Sequence, residues 1–123
     1  MAAHNILGQK GEEAAVSYLL QKAYVIRHRN WKKGHFELDI VAANAGELVV
    51  IEVKTRRNTN FALPQDAVTE NKIKRTVWAA DAYLRHFQLD MPVRFDIITV
   101  VGQEGKFHIE HMEAAFCSPV FVC

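Results

Sequence analysis

The sequence predicts an α/β domain in the order α-β-β-β-α-β-β, with one mixed central sheet flanked by helices. Three observations predict it. An apolar stripe at helical spacing opens the chain. Two apolar runs then bracket a tight turn and read as a hairpin. A second helical repeat precedes a long apolar strand. At 123 residues the chain reads as a single domain spanning 1–123.

The first helix is predicted over about residues 5–22, where Gly8, Gly11, Ala15, Tyr18 and Leu19 form one stripe. Each helical glycine costs about 1 kcal/mol relative to alanine, so Gly8 and Gly11 point to close packing against another element. Residues 23–29 (AYVIRHR) read as a strand, 36–43 (FELDIVAA) as a second, 44–47 (NAGE) as a tight turn, and 48–55 (LVVIEVKT) as a third strand. Residues 56–65 form a polar loop carrying Pro64. Ile73, Val77, Ala80, Leu84 and Phe87 mark a helix over about 68–87. Residues 93–101 are a long apolar strand expected to be buried on both faces. Residues 106–112 alternate Phe107 and Ile109 against His108 and Glu110, and read as an edge strand.

Composition narrows the function classes. Half the residues are hydrophobic and 24% are charged, as in a folded globular domain. No apolar run approaches the ~18 residues of a membrane-spanning helix. The polar start, with His4, Asn5, Gln9, Lys10, Glu12 and Glu13, does not read as an export signal. Cys117 and Cys123 both fall at the end of the chain and cannot staple the fold, so a reducing cytoplasm is the expected setting. The net charge of +1 argues against nucleic-acid binding by bulk charge. That total is an average, however. Residues 22–57 hold eight Lys or Arg against four acids, while residues 104–123 hold three acids against one lysine.

The hairpin carries the candidate chemistry. Centring its loop on Ala45 and Gly46 places Asp39 opposite Glu52 and Glu37 opposite Lys54. Because side chains alternate along a strand, Glu37, Asp39, Val50, Glu52 and Lys54 share one face, and Leu38, Ile40, Val49, Ile51 and Val53 the other. Opposed like charges destabilise a sheet and raise each other's pKa. A cation relieves both effects, and a hard ion such as Mg²⁺ binds through one or two carboxylates while keeping several waters. The alternative is a solvated hairpin face with ordinary salt bridges. Against it, residues 48–53 are apolar apart from Glu52, and a charge on a buried strand needs a specific reason.

An acidic residue followed by Glu52-Val53-Lys54 on the next strand matches the PD-(D/E)xK nuclease core motif. More widely, Gly8, Gly11-Glu12, Ala15, Tyr18-Leu19, Arg29-Asn30-Trp31, Glu37-Leu38-Asp39-Ile40, residues 50–56 (VIEVKTR), Lys72 and Arg94-Phe95-Asp96 resemble the YraN-like family of bacterial proteins, itself similar to archaeal Holliday-junction resolvases. The likeness runs from about residue 8 to residue 101. It implies a restriction-endonuclease-like αβββαβ core and a divalent-metal-dependent endonuclease that hydrolyses nucleic-acid phosphodiester bonds, with branched or single-stranded DNA as substrate. Asp39 and Glu52 would be metal ligands for Mg²⁺ or Mn²⁺, with the Val53 carbonyl as a candidate third and Glu12 as the N-terminal acid of the motif. Lys54 would orient the attacking water or offset phosphorane charge. Glu37 reads from its position either as a third site carboxylate or as the supporting ion-pair partner of Lys54, with the supporting role preferred. Two positions depart from the family pattern: Phe36 and Ala62 stand where glycine is usual. A non-catalytic nucleic-acid-binding module on the same fold is the alternative. Resolvase relatives act as two-fold dimers, which makes a homodimer a candidate assembly.

Several other groups are weighed against plain structural roles. Lys32, Lys33, Arg56 and Arg57 flank the hairpin, and Lys72 and Arg75 share a flank of the second helix, so these six are candidate phosphate contacts. Trp31 and Phe61 are either base-stacking residues or core and loop anchors. Arg94 and Asp96 read as a structural ion pair. His108, His111, Cys117 and Cys123 lack the tight pair spacing of a zinc site.

Overall fold

The computed structural model describes residues 3–57, 69–103 and 105–116, with side chains from residue 6 onward. Two helices and five strands follow in the predicted order: α1 (Ala3–Gln21), β1 (Val25–Lys33), β2 (Phe36–Asn44), β3 (Glu47–Arg56), α2 (Glu70–His86), β4 (Val93–Val101) and β5 (His108–Phe116). The strands form one sheet in the spatial order β1-β2-β3-β4-β5. Only the β3–β4 pair is parallel, so the sheet is mixed, and its crossover carries α2.

Two cores explain the apolar run in β3. On one face Leu48 and Val50 pack with Trp31, Leu38, Val77, Ala80, Tyr83 and Phe95 under α2. On the other, Val49 and Ile51 pack with Ala15, Leu19, Tyr24, Ile40 and Ile98 under α1. A strand covered on both sides has no polar face to show water, so its sequence does not alternate. Gly11 brings α1 close to β3, since a Cβ there would overlap the Thr55 side chain. Gly8 has open space around its missing Cβ, so the close-packing expectation holds for only one of the two glycines.

The predicted hairpin register is observed, from Asn44↔Glu47 through Ile40↔Ile51. Its two-residue turn has positive φ at both positions, 51° at Ala45 and 81° at Gly46, as a type I′ turn requires. The predicted face assignment fails at one residue. Leu38 joins the core under α2, whereas Ile40 joins the core under α1. The alternation breaks at Asp39. Across from it, between the pairs Arg29↔Ile40 and Trp31↔Leu38, Asn30 adopts a left-handed φ of 50°.

Other boundaries shift for local reasons. The first strand starts at Val25 rather than residue 23, because Ala23 leaves the helix with φ 66°. It runs on to Lys33 because Trp31 is buried against the Tyr83 ring, with centroids 5.1 Å apart. Helix α2 is capped by Thr69, whose Oγ1 accepts the Lys72 N–H at 3.1 Å. β4 is not buried on both faces throughout. Ile98 and Val100 are covered by α1, while Ile97, Thr99 and Val101 are only half-buried. β5 is an edge strand as expected, but extends to Phe116, which stacks on Phe95 at 5.1 Å. No helix among the described residues is long and apolar enough to cross a membrane. Phe61, Ala62, Pro64, Cys117 and Cys123 lie outside the described residues.

Candidate active-site cleft

The site begins where β2 and β3 part. Their ladder ends at Ile40↔Ile51, yet β3 continues to Arg56 beside β4. At the fork, the Asp39 side chain does what backbone does elsewhere: its Oδ2 accepts the Val53 N–H at 3.0 Å. The expected pairings of Asp39 with Glu52 and of Glu37 with Lys54 therefore fall beyond the ladder, and on its other side Glu37 stands opposite Lys32 of β1.

A cleft of about 490 Å³ opens at this fork. Glu37, Asp39 and Glu52 line its hairpin side, and Lys72, Arg75, Thr76 and Trp78 its α2 side. His35 and Phe36 also line it. Thus the three carboxylates predicted to share a face do share this cleft, together with the two cations predicted on α2. Lys72 Nζ makes an ion pair with Glu52 Oε1.

Asp39 is electrostatically strained. Burial pushes its carboxyl up to about 6, and the negative charges of Glu52 and Glu12 push the same way. The Val53 N–H and the Lys72 ammonium pull it down without prevailing. A carboxylate held in this way gains from any ligand that brings positive charge.

The remaining predicted residues are distributed around this centre. Glu12 is half-buried on α1, where its Oε1 accepts from Asn30 Nδ2 at 2.9 Å and Arg29 Nε at 3.3 Å. Lys54 lies two residues beyond Glu52 on β3, half-buried and outside the cleft-lining set. Lys32 and Arg57 are exposed, and Lys33 Nζ lies 3.3 Å from His86 Nδ1. Arg56 is half-buried and donates to the Thr55 carbonyl at 3.1 Å. Trp31 is core, only 9% exposed, so it is no platform for bases.

Among the described residues no three His, Cys, Asp or Glu side chains converge as a ready-made metal site. A closed transition-metal centre of the zinc type does not fit. The donor set that is present, Asp39 and Glu52 with Glu37 in the same open cleft, would suit a hard ion that retains several waters.

Two features escaped the sequence reading. The first is Trp78, 57% exposed on the rim of the cleft. Its signal was its position: it falls on the polar side of α2, beside Val77 of the buried stripe. The second is a closed network around Asp96. Arg94 clamps it through Nε at 2.9 Å and Nη2 at 2.8 Å, as the predicted ion pair requires. His111 Nε2 adds 2.7 Å and the Ala114 N–H 3.0 Å. Tyr18 and Tyr24 extend it through His111 and Arg94. Both ring nitrogens of His111 are thus engaged within this network.

Comparison with known proteins agrees with the family resemblance. A sequence model of the uncharacterised protein family UPF0102 matches residues 11–100. A UPF0102 protein of Bacteroides fragilis is 67% identical, covering 98% of this chain and 100% of the relative. Another from Bacteroides thetaiotaomicron is 64% identical with the same coverage. Among solved structures, Hjc, a Holliday junction resolvase from the archaeal hyperthermophile Archaeoglobus fulgidus, is similar with a TM-score of 0.48 and 16% identity, over 87% of this chain and 77% of that one.

Proposed function

The chain belongs to the uncharacterised protein family UPF0102, and from that premise we propose that it is a divalent-metal-dependent endonuclease hydrolysing nucleic-acid phosphodiester bonds, with branched or single-stranded DNA as its substrate. One observation carries the reading. The half-buried Asp39, its carboxyl pushed up by burial and by neighbouring carboxylates, shares a cleft with Glu52, Lys72 and Arg75. Phosphodiester hydrolysis needs that pairing of oxygen donors with positive charge.

Asp39 and Glu52 would hold Mg²⁺ or Mn²⁺, with the Val53 carbonyl and Glu12 as further candidate ligands. When bound, such an ion supplies Lewis acidity that lowers the pKa of water and offsets phosphoryl charge. Arg75 and Lys72 would seat the phosphate. Lys72 must release Glu52 to do so, which exchanges an ion pair for a phosphate contact. Lys54 would orient the attacking water, and Glu37 would support it. Lys32, Lys33, Arg56 and Arg57 would extend the phosphate track beyond the cleft. The expected setting is the cytoplasm, and a two-fold dimer would suit a symmetric branched substrate.

A second reading, a non-catalytic nucleic-acid-binding module, draws on the Lys72–Glu52 ion pair, which already meets the charge of one proposed ligand. Cleavage of labelled single-stranded, flapped and four-way DNA separates the two. With Mg²⁺ or Mn²⁺ the wild type should cut, and Asp39→Ala and Glu52→Ala should each lose on the order of 100-fold or more in rate, as loss of a charge-stabilising group does. Equal cutting by wild type and Glu52→Ala would overturn the assignment. Binding of oligonucleotides with no cutting under any metal would favour the module.

A further inference from the structure

Trp78 has no structural reason to be a tryptophan. The residues of α2 that face the core are Thr76, Val77, Ala79, Ala80 and Tyr83, and Trp78 is 57% exposed. Asn71, Lys74 and Arg75 line a second depression with it. Positions 71, 74, 75 and 78 form one helical face, since residues three and four apart are neighbours on a helix. The same indole also lines the cleft that holds Asp39 and Glu52. It therefore stands between the carboxylate pair and an outer cationic surface, with Arg75 common to both depressions.

We propose that Trp78 is a stacking platform for an unpaired nucleobase, placed so that the neighbouring phosphate falls to Arg75 and Lys72. The inference rests on the nuclease reading and narrows its substrate: the cleft takes a strand whose bases are unstacked, not the outside of an intact duplex. The chemistry selects this occupant. A large flat apolar ring among cations suits a ligand with a flat apolar face and a negative backbone, and every nucleobase on its phosphodiester chain is such a ligand. Phe36, 36% exposed at the same cleft, offers a second aromatic surface for the adjacent base.

The test measures binding with Ca²⁺ in place of Mg²⁺, so that cleavage does not enter. The probes are a single-stranded thymidine oligonucleotide and an abasic oligonucleotide of equal length, which keeps the phosphates and lacks the bases. The chain has two tryptophans, and Trp31 is buried, so quenching of tryptophan emission by thymidine reports on Trp78. Trp78→Ala should weaken thymidine binding by roughly 5- to 100-fold, the range for losing one base–aromatic stack. Affinity for the abasic strand should not change. Trp78→Phe should retain most of the thymidine affinity, and circular dichroism should show both variants folded.

Equal losses on both oligonucleotides, or no loss on either, would overturn the platform. So would a drop in sedimentation coefficient of Trp78→Ala alone, which would make the indole a contact between two copies. The nuclease reading fails separately, through absence of metal-dependent cutting while base-dependent binding persists. If neither oligonucleotide binds, both fall.

Discussion

Two aspartates flank β3, and they are built in opposite ways. Asp96, on β4, is fully buried, and accepts hydrogen bonds from Nε and Nη2 of Arg94, from His111 and from the Ala114 N–H. Asp39, on β2, has one backbone donor and faces the negative charges of Glu52 and Glu12. Asp96 has every partner it needs from within the chain. Asp39 shares the Lys72 ammonium with Glu52, its ion-pair partner, in a cleft that opens to solvent. The same sheet thus satisfies one carboxylate completely on one side of β3 and another incompletely on the other side, and the proposed metal site rests on the second.

The contrast can be broken or sharpened by substitution. The largest expected effect is at Asp96. Asp96→Ala would strand Arg94 and His111 without their common acceptor and should cost about 3–5 kcal/mol in urea unfolding. A cost below about 1 kcal/mol would mean the network is dispensable. Next is Asp39→Asn, which should do the reverse. The folded carboxyl titrates near 6 against a reference of 3.8, so protonation favours the folded state. That contribution to wild-type stability without metal should be full below about pH 4 and be lost as pH rises through 6. Asp39→Asn should lack it, so the difference between the two proteins should grow over that window to about 2 kcal/mol in favour of the variant at pH 8. Saturating Mn²⁺ should restore the wild type and leave the asparagine variant unmoved. The smallest effect is at Glu12. Glu12→Gln keeps an acceptor for Asn30 but removes a negative charge, so Asp39 should titrate a few tenths of a pH unit lower by carboxyl NMR. No change would show that α1 does not act on the cleft.

The comparison also explains what could be seen from the sequence. The Asp39 side of the molecule is mostly local. One type I′ turn fixes the register that sets Asp39 and Glu52 at the same end of the hairpin, and helical spacing puts Lys72 and Arg75 on one flank. Local rules of this kind read directly from residue order. The split of Leu38 from Ile40 does not, because it depends on the kink at Asp39 and Asn30, which period-two alternation takes no account of. The Asp96 side is non-local. Its partners come from α1, β1's approach at Tyr24, and the far end of β5, and no spacing rule links residue 18 to residue 111. Trp78 was visible in principle, as an aromatic residue off the buried stripe, but only once that stripe was known to be covered.

The parallel β3–β4 pair has a consequence for the order in which the molecule is assembled. The carboxylates belong to a hairpin closed by a two-residue turn, a motif that forms in about 1–10 μs. Lys72, Arg75 and Trp78 belong to a crossover that must close over residues 57–92 before β4 can dock, and long-range parallel pairing is slow. Contact order therefore predicts that the hairpin bearing the negative half of the cleft forms before the positive half docks. If the proposed metal site is real, metal in the refolding buffer should speed the first measurable phase without changing the later one.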